Sequence, residues 1–402
     1  MTNLPQGWKM ETLGEILSSD KYSIKRGPFG SALKKSFFVE KGIRIFEQYN
    51  PINNDPHWKR YFISYEKFQE LEAFKATEGD LLISCSGTLG KIVELPKDTE
   101  MGIINQALLK IRLNNIKILN SYFIYYFNSP IMQEKILEST LGSAIKNIAS
   151  VKILKQIEIP LPPLKEQERI VGILDESFAK IDESIKILEQ DLLNLDELMQ
   201  SALQKAFNPL KDNAKENYKL PQSWEWKSLE EISENISAGG DKPKNCTESK
   251  TAKNQIPVYA NGVNNNGLVG YTDKATIIKP SLTISARGTI GFVCIRKEPY
   301  FPIVRLISLI PCENILCLHY LYFCLNFFIA KGEGSSIPQL TIPKFKSLQI
   351  PLPPLKEQEQ IAEHLDFVFE KAKALKELYT KELKDYEELK QSLLNKAFKG
   401  EL

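Results

Sequence analysis

Metal-binding side chains are scarce in this sequence of 402 residues. There are three histidines, at positions 57, 319 and 364, and six cysteines, none of which forms a CxxC pair. A zinc site needs such ligands at short spacings, so the pattern predicts no metal site. The cysteines are interpreted as free thiols, which are typical of a reducing compartment.

Long apolar runs are missing as well. The most apolar segment, residues 315–330, is rich in Leu, Phe and Tyr but includes His319 and Asn326. It is shorter than the roughly 20 residues that a bilayer requires, which favours a buried helix. The first residues, MTNLPQGWKMETL, contain no apolar stretch typical of a secretory signal. We therefore expect a cytoplasmic protein without membrane contact.

Catalytic motifs are also absent from the sequence. Residues 87–91, GTLGK, place the two glycines too close together for a phosphate-binding loop, and no Ser or Thr follows the lysine. No GxGxxG cofactor fingerprint follows a predicted strand. Leucine follows each Pro-Pro pair, where the catalytic loop of an amino-methyltransferase has an aromatic residue. These absences predict a chain that is not an enzyme and binds no cofactor itself.

What the sequence does contain is a long internal repeat. IPLPPLKEQERI at residues 159–170 returns as IPLPPLKEQEQI at residues 350–361, and the match continues to LQKAF at 203–207 against LNKAF at 394–398. Such self-similarity is the signature of a duplicated structural unit. The sequence therefore predicts two copies of one architecture.

Weaker similarities flank this repeat in the same order. Residues 4–16 resemble 220–232, residues 83–90 (ISCSGTLG) resemble 284–291 (ISARGTIG), residues 118–127 align with 315–324, and residues 142–148 align with 334–340. Residues 104–113, INQALLKIRL, have no clean counterpart in residues 300–310, so we expect the second copy to differ around that strand. Each copy is thus a divergent globular part followed by a near-identical helical part.

Each near-identical part is predicted to form one long helix. Pro-Pro and acidic residues open it, and Asn208-Pro209 or Gly400 follows its end, which are typical start and stop signals. The span of about 44 residues corresponds to about 65 Å at about 1.5 Å per residue. Apolar residues recur every seven positions, as in helices that pair. The residues predicted to pair are Leu174, Ile181, Leu188, Leu195, Leu365, Leu375, Tyr379, Tyr386 and Leu393.

Two arrangements of these helices are compatible with the heptad pattern. Each helix could pack only on its own domain, or the two helices could pair with each other. A helix of this length exceeds what one small domain can cover, and a globular part separates the two. These considerations favour antiparallel pairing with pseudo-two-fold symmetry.

The net charge of +2 hides an uneven distribution. Residues 1–157 contain 21 Lys and Arg against 16 Asp and Glu, and residues 211–347 contain 17 against 12. Residues 158–210 contain 5 against 11, and residues 348–402 contain 9 against 11. Basic globular parts beside acidic helical parts favour a phosphate-bearing partner that the globular parts hold.

Candidate nucleic-acid contacts are basic or small polar residues in loops, which suit phosphates and base edges. In the first half they are Lys25, Arg26, Ser31, Lys34, Lys35, Lys59, Arg60, Ser84, Ser86, Thr88, Lys91, Ser143 and Lys146. In the second half they are Lys242, Lys244, Asn264, Arg287, Thr289, Ser335 and Gln339. Each one alone is equally consistent with a solvated surface residue or a plain turn. Ser86 and Arg287 share one repeat position, and arginine suits bidentate contact with guanine whereas serine does not.

The order of these parts resembles the specificity subunit of type I restriction–modification systems. The duplicated PLPPLxEQ segment, the LPxxW starts and the GTxG turns carry the resemblance, which covers essentially the whole chain. It implies an α+β fold in which two mixed α/β target-recognition domains are joined by two long antiparallel coiled-coil helices. The implied divisions are recognition domains at 1–157 and 211–347, and conserved helical regions at 158–210 and 348–402.

The resemblance also implies partners. Each domain would read one half of a split sequence in double-stranded DNA, while the helices set the gap and dock two methyltransferase subunits. Restriction subunits would complete the complex. S-adenosylmethionine, ATP and Mg²⁺ are expected on those partners, so this chain is expected to be non-catalytic.

Two other functions stay open at the level of the sequence. One is a coiled-coil assembly protein that binds no DNA. The other is a DNA methyltransferase or nuclease whose site the motifs do not reveal. Electrophoretic mobility shifts distinguish the first alternative, and methyl transfer by the chain alone distinguishes the second.

Overall fold

Two compact units make up the chain in the computed structural model, which describes residues 4–138, 148–211, 220–329 and 340–402. The first unit comprises Met1–Leu188 and Lys381–Leu402, and the second comprises Glu189–Thr380. Both combine small β-sheets with helices, so the predicted α+β class is confirmed. Each of the two long helices contributes residues to both units.

The first half of the chain alternates short strands and helices before it enters a long helix. Its strands are β1 Lys9–Thr12, β2 Ile24–Arg26, β3 Phe38–Val39, β4 Ile43–Phe46, β5 Phe62–Ile63, β6 Lys75–Ala76, β7 Leu81–Ser84, β8 Ile92–Glu94, β9 Gly102–Ile104, β10 Leu108–Ile111 and β11 Glu158–Leu161. Its helices are α1 Tyr49–Ile52, α2 Tyr65–Glu70, α3 Asn120–Asn128, α4 Pro130–Glu138, α5 Val151–Leu154 and α6 Leu164–Lys211.

Two sheets form the body of the first unit. The antiparallel sheet has the order β2-β10-β7-β8, and the second has the order β3-β5-β4-β9-β6, in which β4 and β9 are parallel. β7 and β10 are buried along their whole length, which explains their nearly continuous apolar sequence. Lys110 in β10 is the exception, and its Nζ donates to the carbonyl of Lys75 at 2.6 Å. That hydrogen bond offsets part of the cost of burying the amine.

The second half of the chain repeats this plan. Its strands are β12 Glu225–Ser228, β13 Ser233–Ala238, β14 Ile256–Tyr259, β15 Leu268–Thr272, β16 Ser281–Ile284, β17 Val293–Arg296, β18 Phe301–Pro302, β19 Ile307–Pro311 and β20 Gln349–Leu352. Its helices are α7 Leu229–Ile232, α8 Leu318–Phe328, α9 Ile342–Lys346 and α10 Leu355–Lys399.

The four-stranded sheet has the same topology in both units. The order β13-β19-β16-β17 matches β2-β10-β7-β8, and the ribbon of β12 with β20 matches that of β1 with β11. β19 therefore occupies the position of β10, but the surroundings of this strand differ, as expected. Val304 and Arg305 before β19 have positive φ values, and the neighbouring sheet has the order β15-β14-β18 where the first unit has β3-β5-β4-β9-β6. Both strands are buried although their sequences differ, because a buried strand accepts different apolar residues of suitable volume.

The helix after this sheet corrects one detail of the sequence alignment. Tyr122 in α3 donates its hydroxyl to the carbonyl of Pro160 at 2.8 Å, and Tyr320 in α8 donates to the carbonyl of Pro351 at 2.8 Å. The two tyrosines are thus equivalent, which shifts the alignment of residues 118–127 with 315–324 by one position. Short aromatic segments match almost equally well in neighbouring registers, so sequence comparison alone did not fix it.

The long helices bury the predicted heptad positions in part. Leu174, Ile181, Leu188, Leu195 and Leu365 are buried, whereas Tyr379, Tyr386 and Leu393 are half-buried. Leu375 is 38% exposed, so it contributes less to the seam than the heptad pattern predicted.

Within each unit the two helices run antiparallel. In the first unit, Asp182 pairs with Lys390, and Arg169, earlier in α6, donates to the main-chain oxygen of Leu402, which follows α10. In the second unit, Asp196 of α6 pairs with Lys376 of α10, and Leu203, later in α6, shares a hydrophobic core with Leu365, earlier in α10. In both units later residues of one helix therefore meet earlier residues of the other, as the pairing hypothesis predicted.

The end of each long helix completes a hydrophobic core. Phe398 of α10 packs edge-on against Tyr122 at 5.4 Å between ring centroids, in the core of the first unit. Phe207 of α6 packs edge-on against Tyr320 at 5.7 Å, in the core of the second unit. Both phenylalanines end the repeated KAF sequence, so its near-identity has a packing reason.

Candidate nucleic-acid interface

A tight hairpin joins β7 to β8 and carries four of the candidate residues. Ser84 is buried, and its hydroxyl accepts from the Lys91 N–H at 3.0 Å, so its role is to hold the hairpin. Gly87 and Gly90 have φ values of 67° and 70°, which favour glycine. Thr88 and Lys91 are exposed and Ser86 is half-exposed. The hairpin therefore presents hydroxyls, one amine and little bulk.

The same hairpin joins β16 to β17 in the second unit. The Gly291 N–H donates to the carbonyl of Ser285 at 3.0 Å, as the Gly90 N–H donates to the carbonyl of Ser84. Arg287 is exposed on this hairpin and Thr289 is half-buried. One backbone frame thus presents serine at position 86 and arginine at position 287.

Lys25 and Arg26 were predicted to lie in a loop, but they belong to strand β2, and the chain after β2 adjoins this hairpin through a third segment. The Gly27 N–H donates to the carbonyl of Leu108 at 2.9 Å, and a Cβ on Gly27 would lie 1.8 Å from the carbonyl oxygen of Asn105. The Cys85 N–H donates to the carbonyl of Ala107 at 2.8 Å. The backbone carrying Lys25 and Arg26 and the hairpin therefore meet at residues 105–108.

Loops converge in the second unit in the same way. The Gly239 N–H donates to the carbonyl of Leu306 at 2.8 Å. Asn261 donates through Nδ2 to the carbonyl of Val304 at 2.6 Å and accepts through Oδ1 from the Ala286 N–H at 2.8 Å. The loops that carry the exposed candidates are thereby joined; these candidates are Lys242, Lys244, Asn264 and Arg287.

The remaining described candidates lie on other loops of the first unit. Ser31, Lys34 and Lys35 are exposed between β2 and β3. Lys59 pairs with Glu100 at 2.9 Å, which lowers the pKa of that carboxyl, and the Arg60 guanidinium lies 4.7 Å from the ring centre of Tyr61. These residues have partners within the unit in addition to their exposed surface.

Their loop is held by two buried polar side chains. Arg44 donates to the carbonyls of Pro56 and Trp58 at 2.9 and 2.7 Å, and Asn50 donates to the carbonyl of Trp58 at 2.8 Å. The backbone before Lys59 is therefore fixed. Four further candidates, Ser143, Lys146, Ser335 and Gln339, lie outside the described residues.

A buried glutamine joins each long helix to its sheet domain. Gln167 accepts from the Leu119 N–H and donates to the carbonyls of Lys117 and Pro162, all at 2.9 Å. Gln358 accepts from the Cys317 N–H at 2.9 Å and donates to the carbonyls of Ile315 and Pro353 at 2.9 and 2.8 Å. Sequence reasoning missed this role, although the glutamine belongs to the EQ pair that the repeat preserves.

Neither a metal-binding cluster nor a reactive buried thiol is found among the described residues. No group of three or more His, Cys, Asp or Glu side chains among them is arranged to hold a metal ion. Burial raises the pKa of Cys85 to about 11 and raises the pKa of Cys324. Both thiols are therefore protonated near neutral pH and poorly suited to act as nucleophiles. Among the helices of the described ranges, none combines the length and apolarity needed to cross a membrane.

The chain is similar to named specificity subunits in sequence. It is 33% identical over 221 residues to a Mycoplasma pneumoniae protein named as a type I specificity subunit, matching 54% of this chain and 56% of that protein. A specificity subunit named for the enzyme MjaX of Methanocaldococcus jannaschii is 25% identical, with 84% of this chain and 81% of that protein matched. The chain thus spans little more than half of the Mycoplasma relative but most of the archaeal one.

Solved structures share the fold. A chain from a structural study of assembly and conformational transition in the type I restriction–modification system superposes with a TM-score of 0.81 at 20% identity, over 100% of both chains. The HsdS subunit of Thermoanaerobacter tengcongensis superposes with a TM-score of 0.63 at 20% identity, over 99% of this chain and 98% of that one. The family model for the type I restriction modification DNA specificity domain matches residues 5–192 and again 221–384. The chain therefore belongs to the type I restriction–modification DNA specificity family and contains its domain twice.

Proposed function

We propose that this chain recognises a split sequence in double-stranded DNA, with one half-site read by each sheet domain. The observation that carries the proposal is the duplicated hairpin, which keeps its backbone hydrogen bonds but exchanges Ser86 for Arg287. Base edges are distinguished by side-chain chemistry, so a conserved frame with different side chains suits two different half-sites. The basic loops joined to each hairpin provide phosphate contacts, which position the domain on the duplex.

The proposed divisions of the chain follow the repeat. Recognition domains are assigned to residues 1–157 and 211–347, and spacer regions to residues 158–210 and 348–402. The described candidates on the converging loops are proposed as contacts, except Ser84, whose hydroxyl is occupied within the hairpin.

The proposed partners are two methyltransferase subunits, together with restriction subunits in the full complex. Exposed apolar side chains occur at equivalent positions of the two long helices, Ile187 and Leu378, and Leu198 and Leu389. They are between 45% and 61% exposed, although burying such side chains is favourable. A surface that occurs twice suits two copies of one partner.

We propose that the catalytic reactions are carried out by these partner subunits. S-adenosylmethionine, ATP and Mg²⁺ would bind there, and this chain would act in the cytoplasm as a non-catalytic recognition and scaffold subunit. The absence of catalytic motifs in its sequence supports this division.

The test combines DNA binding with methyl transfer. We expect the chain with its methyltransferase partner to shift a duplex that carries the site, with an affinity that falls steeply as salt rises because phosphate contacts release counterions. We expect no methyl transfer by the chain alone. Absence of a shift in the complex would favour an assembly protein, and transfer by the isolated chain would favour an enzyme.

A further inference from the structure

A four-residue turn precedes β10 in the first unit and the equivalent strand β19 in the second. In the first unit the Leu108 N–H donates to the carbonyl of Asn105 at 3.1 Å, which places Gln106 and Ala107 at the tip. In the second unit the Leu306 N–H donates to the carbonyl of Ile303 at 3.0 Å, which places Val304 and Arg305 at the tip. Neither turn was among the contacts predicted from the sequence.

The turn of the second unit has an unfavourable backbone. Val304 and Arg305 have φ values of 52° and 60°, in the left-handed region. A β-branched residue is a genuine outlier there, and Asn and Gly are the usual occupants of such a turn. Val304 is nevertheless 50% exposed and Arg305 is exposed, so core packing does not explain why these residues are present.

Two surrounding segments hold this turn in place, and one of them also bonds to the hairpin. The Val304 N–H donates to the carbonyl of Gly240 at 2.8 Å, and the Arg305 N–H donates to the carbonyl of Gly239 at 2.9 Å. Asn261 holds the Val304 carbonyl and also the backbone of Ala286, next to Arg287. The turn is therefore a rigid part of the surface on which the loop candidates converge.

We propose that residues 304–305 are a base-reading turn of the second domain, in which Val304 contacts the 5-methyl group of a thymine and Arg305 donates to O6 and N7 of a guanine. The proposal rests on the proposed function and adds the bases that one segment would read. Apolar side chains suit the thymine methyl group, and arginine suits the two guanine acceptors. A strained backbone held by its surroundings is typical of functional sites.

The first unit provides a matched position. Gln106 is exposed at the tip equivalent to Val304, and glutamine suits the N6 and N7 edge of adenine. Because Gln106 lies in the first unit, its replacement should affect only the other half-site. Gln106→Ala is therefore the control variant.

The experiment uses the chain in complex with its methyltransferase partner. The site is first defined by mapping methylated adenines, and duplexes are then made with uracil for each thymine and 7-deazaguanine for each guanine of the second half-site. The variants Val304→Gly and Arg305→Gly suit a left-handed backbone, so we expect both to melt at or above the temperature of the unaltered chain.

We expect the unaltered complex to lose about five-fold or more in affinity when one particular thymine or guanine is substituted, the lower end of the range for a base contact. We expect the affinity of Val304→Gly to be the same with uracil as with that thymine, and the affinity of Arg305→Gly to be the same with 7-deazaguanine as with that guanine. Gln106→Ala should lose affinity with either substituted duplex, as the unaltered complex does. If the glycine variants retain both sensitivities and full affinity, the base-reading role is wrong while DNA recognition stands. If a glycine variant melts at a lower temperature, the turn is structural. Failure of the unaltered complex to bind DNA would instead overturn the proposed function.

Discussion

At the scale of single residues, one glutamine joins a sheet domain to a helix in both copies. Gln167 and Gln358 each use one acceptor and two donors, and every partner is a main-chain group near the start of a helix. Such groups have no partner within the helix or strand, so the amide satisfies them. The glutamine therefore fixes the direction in which each long helix leaves its domain.

Replacement of Gln358 by leucine should destabilise the second unit. It leaves one N–H and two carbonyls buried without their partner, and each such group costs about 1–3 kcal/mol. We expect a loss of about 3 kcal/mol or more in the free energy of unfolding, measured by denaturant titration. Gln360→Leu is the control, because Gln360 is exposed two positions later on the same helix. Equal losses in both variants would contradict the buried-network role.

Arg287 is the hairpin residue for which the clearest effect on recognition is expected. Because it is exposed on a hairpin whose backbone is bonded internally, Arg287→Ala should leave the hairpin folded. A lost base contact should weaken specific binding by about 1–3 kcal/mol, whereas a lost phosphate contact should weaken binding to all sequences alike. Competition between specific and random duplexes separates these results. A variant that binds both as tightly as before would remove Arg287 from the interface.

At the scale of elements, the C-terminal end of each long helix forms part of the hydrophobic core of one unit. Phe398 is buried among Tyr122 and Tyr126, and Phe207 is buried beside Tyr320. A helix end commonly frays, but these ends are held by aromatic packing. The near-identity of the KAF sequence in both copies follows from two equivalent pockets.

Replacing either phenylalanine with alanine should destabilise only the unit whose core contains it. Phe398→Ala should cost about 3–5 kcal/mol because it leaves a cavity in the first core. Phe207→Ala should cost a similar amount in the second core. Limited proteolysis followed by mass spectrometry should show early cleavage in the first unit for Phe398→Ala and in the second for Phe207→Ala. Phe367→Ala, at an exposed position of α10, should change neither pattern.

The sequence predicted where the helices begin, but the predicted stop at Asn208-Pro209 is wrong, because α6 continues to Lys211. The contacts of the helices were predicted less completely. Proline, acidic residues and heptads indicated where α6 and α10 begin and that they pair, because those signals are local. Phe207 packs on Tyr320 and Phe398 packs on Tyr122, contacts between residues more than a hundred positions apart, which no local pattern encodes. The same holds for the candidate site: the GTxG hairpins were found, but the turn at Val304 and Arg305 was not, since only the fold brings it to them.

At the scale of the whole molecule, the repeat predicts that the two long helices set the distance between the DNA half-sites. Antiparallel helices with a seven-residue seam keep their pairing when both lose one heptad. Deleting residues 182–188 together with 373–379 removes about 10 Å from each helix, at about 1.5 Å per residue. If the helices set the gap between the half-sites, we expect a gap shorter by a few base pairs, or loss of recognition. Mapping methylated adenines measures the gap, and an unchanged gap would show that the helices do not set the distance between the half-sites.

Exchange of one domain tests the independence of the half-sites. Replacing residues 1–157 with the equivalent part of another family member should change the first half-site and leave the second unaltered, because each unit has its own core. The methylated sequence gives the result directly. A change in both half-sites would contradict separate reading by the two units.

The division of the first unit between Met1–Leu188 and Lys381–Leu402 has a consequence for biosynthesis. The second unit is one continuous stretch, so all of its residues are translated before residues 381–402 are added. The unit that leaves the ribosome first must therefore wait for residues 381–402 before its core is closed by Leu394, Ala397 and Phe398. A stop codon placed at residue 381 should damage the unit made first and spare the one made second.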